Sequence, residues 1–125
     1  MRTMDELKRK LGQLLKEPDS ASRYDAIGVI LGQVKDWDNA ERYLGRAYAL
    51  DPTDIDISYH YASALYQRHR YSEAAALCRD GLKIDSTNRA LLERLGDCCY
   101  LLGEYEDAAK AYVKLYERSG EVVLS

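Results

Sequence analysis

Three cysteines and two histidines are the residues of this sequence best suited to redox, metal or nucleophilic chemistry, but their spacing favours none of these. Cys78, Cys98 and Cys99 are an odd set, and the two neighbours could form a disulfide only with strained geometry. We therefore expect reduced thiols, as in cytosolic proteins, and Cys98 is the one thiol for which a redox role stays open. His60 and His69 have no cysteine or histidine at the spacing of a zinc site, so no metal is expected.

The other polar residues show no catalytic arrangement. The glycines are scattered rather than gathered in a phosphate-binding loop, and no Ser-His-Asp or Cys-His group stands out. Glu104 and Glu106 form an acidic pair, but they flank a predicted helix start, where carboxylates interact favourably with the helix dipole. The sequence therefore predicts a protein that is not an enzyme, with no catalytic residues and no cofactor.

The composition is that of one soluble domain. The chain has 125 residues, of which 46% are hydrophobic and 31% charged, and its formal net charge is −3. This acidic balance argues against nucleic-acid binding. No apolar run approaches the roughly 20 residues of a membrane-spanning helix, and residues 1–8 lack the apolar segment of a signal peptide. We expect a cytoplasmic protein that neither binds nucleic acid nor inserts into a membrane.

Similar residues recur every 34 positions, and this period organises the chain. The aligned columns are aromatic at Trp37, Tyr71 and Tyr105, alanine at Ala40, Ala74 and Ala108, and small at Gly28, Ala62 and Gly96. Residues 21–54, 55–88 and 89–122 then form three units, each with two segments of helical spacing. The small residues would let the two helices of a unit approach closely, and stacking would bury the apolar face that one unit leaves open.

The segments outside the repeats have a different pattern. Residues 1–20 contain an apolar stripe that predicts a helix over residues 4–16, and Pro18 would end it. The stripe consists of Met4, Leu7, Leu11, Leu14 and Leu15. Because acidic residues offset the basic ones on this helix, we interpret it as a cap on the first unit rather than a membrane-surface helix. Residues 123–125 form a short tail.

The repeat resembles the tetratricopeptide repeat (TPR) family, which has the same period. The first unit carries the family pattern best, at Tyr24, Ile27, Gly28, Leu31, Ala40, Leu44, Ala47 and Pro52. The second unit has Ser86 where proline is usual. The resemblance implies an all-α fold, a right-handed α-solenoid of three helix-turn-helix repeats with an extra N-terminal helix.

The resemblance also implies a function, because TPR stacks bind peptides in a concave groove lined by the first helix of each unit. The corresponding positions are Asp25, Val29, Asp56, Tyr59, His60, Ser63, Tyr66, Glu93, Arg94, Asp97 and Tyr100. We therefore predict a protein–protein interaction module, with a scaffold or adaptor role, that binds a partner peptide or helix. Its carboxylates favour a basic or aromatic-rich segment, and its tyrosines are suited to supply affinity.

One well-known TPR site, the carboxylate clamp for the acidic tails of chaperones, matches this sequence poorly. The clamp positions hold Asp25, Val29, His60, Ala90 and Arg94, and only the arginine fits. Binding of chaperone tails is therefore not expected.

Self-assembly is a second hypothesis. Tyr112, Leu115 and Tyr116 are predicted to form an apolar side of the last helix, where a following helix would pack in a longer stack. With only a short tail to cover this side, the units would stack end to end or form a homodimer.

Overall fold

The computed structural model describes residues 3–119 and contains seven α-helices and no strand over that range. The helices are α1 (Met4–Leu14), α2 (Ala21–Gln33), α3 (Trp37–Leu50), α4 (Ile55–Gln67), α5 (Tyr71–Ile84), α6 (Arg89–Leu101) and α7 (Tyr105–Ser119). The predicted all-α repeat solenoid is confirmed. Helices α2 and α3 lie within the first predicted unit, α4 and α5 within the second, and α6 and α7 within the third. Among residues 3–119, no helix combines the length and the apolar character needed to cross a membrane.

Polar side chains begin most of the helices, as the sequence of the turns indicates. Asp54 Oδ1 accepts a hydrogen bond from the backbone N–H of Ile57 at 3.2 Å at the start of α4. Asn88 Oδ1 accepts one from Leu91 at 3.0 Å at the start of α6. These bonds satisfy backbone donors that have no partner within the helix, so the turns between units fix where each first helix starts.

The turn inside each unit has the same backbone conformation in all three repeats. Lys35, His69 and Gly103 have φ values of 63°, 62° and 79°, and they are spaced by the repeat period. In each turn the next backbone N–H bonds to a carbonyl five residues earlier, at 2.9, 2.9 and 2.8 Å. This is the Schellman arrangement, in which one left-handed residue ends a helix and satisfies its last carbonyls.

Small residues let the two helices of a unit pack closely, as predicted. A Cβ atom on Gly28 would lie 2.5 Å from Leu44 Cγ, and one on Gly96 would lie 2.5 Å from the Tyr112 ring. Ala62, at the same column in the second unit, has no exposed surface. No larger side chain fits at these positions unless the helices move apart.

The contacts between units make one side of the stack concave. The first helices of successive units contact each other, α2 with α4 and α4 with α6. In the described part of the chain, the second helices α3, α5 and α7 have no such contacts with one another. Because the first helices lie closer together than the second helices, they line the inner side of the curve.

Helix α1 packs on α2 and covers part of the first unit. Leu7 and Leu14 are buried in a cluster with Ile27 and Ile30. The predicted stripe is wrong at Met4 and Leu15, which are 55% and 58% exposed. Met4 is the first residue of the helix and Leu15 follows its last residue, so both lie at the ends of the helix.

Candidate binding groove

The concave side of α2, α4 and α6 contains an open pocket of about 300 Å³, which we call the groove pocket. Its lining comes from α2, α4 and α6 and from two residues of α3: Gly28, Val29, Gly32, Gln33, Trp37, Leu44, Tyr59, His60, Ser63, Gln67 and Arg94. The structure therefore brings together five of the predicted site residues, namely Val29, Tyr59, His60, Ser63 and Arg94.

A hydrogen bond between α2 and α4 fixes one edge of the groove pocket. His60 Nδ1 lies 2.8 Å from Asp25 Oδ1, and both side chains are partly buried, with 34% and 21% of their surface exposed. This bond raises the pKa of His60 above its ordinary value, an effect that Asp56 and Asp54 reinforce and burial opposes. Asp25 is thus already engaged within the chain, and its negative charge is largely offset when His60 is protonated.

Arg94 reaches from α6 onto the tyrosines of α4. The centre of its guanidinium lies 4.3 Å from the Tyr66 ring centroid and 5.8 Å from that of Tyr59. One terminal nitrogen donates a long hydrogen bond of 3.5 Å to Tyr59 Oη. Tyr66 does not line the groove pocket; its ring contacts the Arg94 guanidinium and packs against Tyr71.

Two buried polar atoms beside the groove pocket have no hydrogen-bond partner in the described chain. They are Ser63 Oγ and Arg94 Nε. Buried polar groups are nearly always paired, and leaving one unpaired costs free energy. Both residues border the groove pocket.

The other predicted groove residues lie outside the groove pocket. Tyr112 Oη donates a hydrogen bond to Asp97 Oδ1, so this carboxylate is also engaged within the chain. Burial of the Tyr112 phenol raises its pKa, and the hydrogen bond to Asp97 raises it further. Asp56 and Glu93 are exposed. Tyr100 is 58% exposed and packs only edge-on against Tyr105. Two of the four predicted carboxylates, those on Asp56 and Glu93, are thus available to a partner.

Sequence reasoning missed several lining residues. Gln33 and Gln67 lie one helical turn after Val29 and Ser63, so an i, i+4 extension of the predicted face would have found them. Trp37 belongs to the second helix of its unit, yet its ring lies over Gly32, with a ring carbon 3.0 Å from where a Cβ would be. No pattern on the first helices could have indicated that contribution.

The self-association prediction is wrong for two of its three residues. Leu115 is only 2% exposed, and Tyr112 is partly buried, with its ring against Gly96 of α6. Both side chains belong to the packing within the third unit, because the Ala108 face of α7 points at α6. Tyr116 is 41% exposed. The exposed apolar residues at this end of the stack include Leu101, Leu102, Tyr105 and Val113.

The cysteines are free and buried, including Cys98, for which a redox role had stayed open. Burial raises the pKa of Cys78 to about 12 and that of Cys98 to about 11. A reactive cysteine needs an accessible thiolate, so these residues act as small apolar side chains of the core.

Comparison with known proteins gives the family. Residues 33–115, more than half of the chain, match the family described as "Anaphase-promoting complex, cyclosome, subunit 3". The chain belongs to this anaphase-promoting complex subunit 3 family. Its helical repeats are tetratricopeptide repeats, as the resemblance implied. No curated protein sequence matches the chain.

Solved structures share the fold of this family member at low sequence identity. "MamA AMB-1" superposes with a TM-score of 0.78 at 19% identity, over 96% of this chain and 64% of that one. YrrB, titled "a TPR protein with an unusual peptide-binding site", gives a TM-score of 0.83 at 16% identity, over 90% and 60% of the two chains. The first TPR of Spaghetti (RPAP3), bound to the HSP90 peptide SRMEEVD, gives 0.75 at 19% identity, over 78% of each chain. The chain thus spans less than two thirds of the length of MamA and YrrB, 64% and 60%.

Proposed function

We propose that this chain is a protein-interaction module that binds a segment of a partner protein along α2, α4 and α6. The observation that carries the proposal is the groove pocket, an open concavity with an apolar wall and several polar groups that converge on it. The titles of two neighbours, YrrB and the Spaghetti repeat, name a peptide-binding site and a bound peptide in the same fold. The family description, which names a subunit of a complex, also fits a protein partner.

The partner segment that we propose is basic or aromatic-rich. Asp56 and Glu93 are exposed beside the groove pocket, and their carboxylates would attract cationic side chains of a partner. Added salt would screen this attraction and shorten its range. Tyr59 and Trp37 line the groove pocket, where an aromatic or aliphatic side chain can pack on them. Affinity would come mainly from these buried apolar contacts and orientation from the charges.

Trp37 is the single tryptophan of the chain, and it lines the groove pocket, so its fluorescence reports on an occupant. The test is a titration with two pools of short peptides that lack tryptophan, one rich in Lys, Arg and Tyr and the other in Asp, Glu and Ser. We expect saturable binding of the basic pool that weakens with added salt. Tyr59→Ala should weaken it by roughly tenfold, and the exposed Tyr105→Ala should leave it unchanged.

Binding that is unaffected by Tyr59→Ala, or that shifts backbone amide NMR signals on α3 and α5 instead of α2 and α4, would place the working surface on the convex side. The proposal would then be wrong.

Dimerisation through the end of the stack is a second candidate. The observation that favours it is the exposure of Tyr105 (63%), Leu101 (48%) and Val113 (41%) at that end. Sedimentation of the wild type and of Val113→Glu over a range of concentrations tests it. A wild type that stays monomeric throughout excludes it.

A further inference from the structure

A second open pocket lies between the second helices of the last two units, on the outer side of the stack. Its volume is about 270 Å³, and we call it the outer pocket. Leu82 of α5 and Leu92 and Leu95 of α6 form its apolar floor, and α7 forms the opposite wall. Within the described chain α5 and α7 have no contacts with each other, which leaves room between them. The outer pocket shares no lining residue with the groove pocket.

Two tyrosine rings occupy the equivalent space at the first junction, between the first and second units. Tyr48 and Tyr61 lie one repeat before Leu82 and Leu95, and their ring centroids are 5.8 Å apart. The Tyr61 ring also lies over α3, 3.4 Å from where a Cβ on Gly45 would be. At the second junction, between the second and third units, leucines stand at both positions. The outer pocket is therefore the space that an aromatic pair occupies one repeat earlier.

Basic residues surround the outer pocket where the first junction has neutral and acidic ones. Asp107 is the one carboxylate among the lining residues, and it lies 3.9 Å from an arginine on α5. Three basic side chains also line the outer pocket, and the positions one repeat earlier hold a glycine, an alanine and an aspartate. The basic residues are Arg79, Lys110 and Lys114, one repeat after Gly45, Ala76 and Asp80.

The positive charge around the outer pocket is only loosely offset within the chain. Arg79 Nη2 lies 3.7 Å from the Glu104 carboxylate. Lys110 Nζ lies 3.7 Å from Glu106. Both distances are longer than a hydrogen bond, and exposed ion pairs of this kind contribute little, so a ligand's carboxylate can compete with them. Among residues 3–119, no ion pair or hydrogen bond engages Lys114.

We propose that the outer pocket binds an aromatic side chain of a partner segment whose neighbouring residues are acidic. The ring would lie on the leucine floor, in the place that tyrosines hold at the first junction. Carboxylates beside the ring would meet Lys110 and Lys114 on α7. The buried ring would supply most of the affinity, and the charges would orient the segment. This inference goes beyond the proposed function, because it places a segment of opposite charge on the other side of the stack.

Labelled peptide pools and fluorescence anisotropy test the proposal. All peptides carry an N-terminal fluorescein and a C-terminal amide. Two acidic pools have mixtures of Asp, Glu and Ser around a central Phe or a central Ala, and a basic pool has Lys, Arg and Ser around Phe. We expect the acidic Phe pool to bind the wild type roughly tenfold more tightly than the acidic Ala pool. Added salt should weaken this binding.

Filling the outer pocket from within the chain tests its location. Leu95→Tyr gives the second junction a ring that the first junction already has, so binding of the acidic Phe pool should fall by roughly tenfold. Leu82→Tyr, at the other position of the pair, keeps the test open if Leu95→Tyr does not fold. Leu101→Tyr is the matched control, because it adds a ring to an exposed position of α6 outside the outer pocket.

Charge reversal tests the basic residues around the outer pocket. Lys114→Glu should weaken binding of the acidic Phe pool several-fold at low salt and much less at high salt. Lys8→Glu makes the same change in net charge on α1, at the other end of the stack, and it should leave this binding unchanged.

The outcomes separate this inference from the proposed function. Equal binding of the two acidic pools, or binding of neither, overturns the aromatic site and leaves the groove pocket in place. Acidic Phe binding that is lost in Tyr59→Ala but kept in Leu95→Tyr and Leu82→Tyr shows that the segment lies in the groove pocket, and it also overturns the inference. Binding that survives Tyr59→Ala and is lost when the outer pocket is filled supports it, whether or not the basic pool binds.

Discussion

One residue in the turn inside each unit has a left-handed backbone conformation, and substitution there measures what this conformation costs in stability. Lys35 has φ 63°, and no described residue forms a hydrogen bond or an ion pair with its side chain, which is exposed. A left-handed conformation costs a residue with a Cβ roughly 1–2 kcal/mol, whereas glycine adopts it freely. Lys35→Gly removes that cost, but it also makes the unfolded chain more flexible, which offsets about 0.4–1 kcal/mol.

The net expectation for Lys35→Gly is an increase in the free energy of unfolding of about 0.5–1 kcal/mol, or roughly 2–4 °C in Tm. Gly103 occupies the equivalent turn with φ 79°, and no atom lies within 4 Å of where its Cβ would be. Gly103→Ala should therefore lower stability by about 1 kcal/mol through the backbone alone.

Urea unfolding followed by circular dichroism measures both changes. The matched control is Gly12→Ala, because Gly12 also has open space around its Cβ position but lies within helix α1. Alanine is the better helix former by roughly 1 kcal/mol, so this substitution should stabilise that helix. Glycine-to-alanine changes of the same sign at positions 12 and 103, or a destabilised Lys35→Gly, would refute the assignment of the turns.

Three further predictions concern packing and pH. Ala74→Leu should overpack a fully buried site and lower the free energy of unfolding by roughly 1–3 kcal/mol. Ala76→Leu, on the exposed side of the same helix, should cost little, so equal melting temperatures of the two variants would contradict the assigned repeat register. Gly96→Ala should destabilise by a similar amount, about 1–3 kcal/mol, and a calorimetric melt like that of the wild type would contradict the close packing of α6 and α7. The raised pKa of His60 means that protonation of the folded state is favoured by the bond to Asp25. The stabilisation is therefore complete below the unfolded pKa near 6.5 and lost as pH rises through the higher folded pKa, so the advantage of the wild type over His60→Gln should shrink over that window.

The fold could be predicted because its determinants recur with a fixed period. A column of small residues such as Gly28 and Gly96 has a direct geometric meaning, since a Cβ there would overlap the paired helix. The left-handed φ of His69 could not be predicted, because histidine does not mark such a position as glycine does.

The apolar side of the last helix was misread because a second helix in a stack has two apolar sides. Ala108 and Leu115 face the paired helix of their own unit, while Ala109 and Val113 face the position that a following unit would occupy. The equivalent of Ala109 one unit earlier is Ala75, which α6 helps to bury completely. The sequence shows one broad apolar surface here, and only the packing separates its two faces.

The charge of the groove could not be counted from its residues. Asp25 and Asp97 are engaged by side chains 35 and 15 positions away, at His60 and Tyr112. Sequence alone shows the carboxylates but not these partners. Removing the two engaged carboxylates from the sum leaves Asp56 and Glu93 as the exposed carboxylates of the predicted groove.

The two junctions between units use equivalent positions for different chemistry. Asp25 and Tyr59 are one repeat apart, and so are their partners His60 and Arg94. At the first junction the His60 ring is hydrogen-bonded to the Asp25 carboxylate. At the second junction a phenol stands in place of that carboxylate, so the guanidinium keeps an unpaired N–H beside the groove pocket. Tyr59→Asp would give the second junction the chemistry of the first, so we expect it to form an ion pair with Arg94 in a stack that stays folded. If the melting temperature of Tyr59→Asp falls below that of the wild type by the same amount at low and at high salt, no such ion pair has formed.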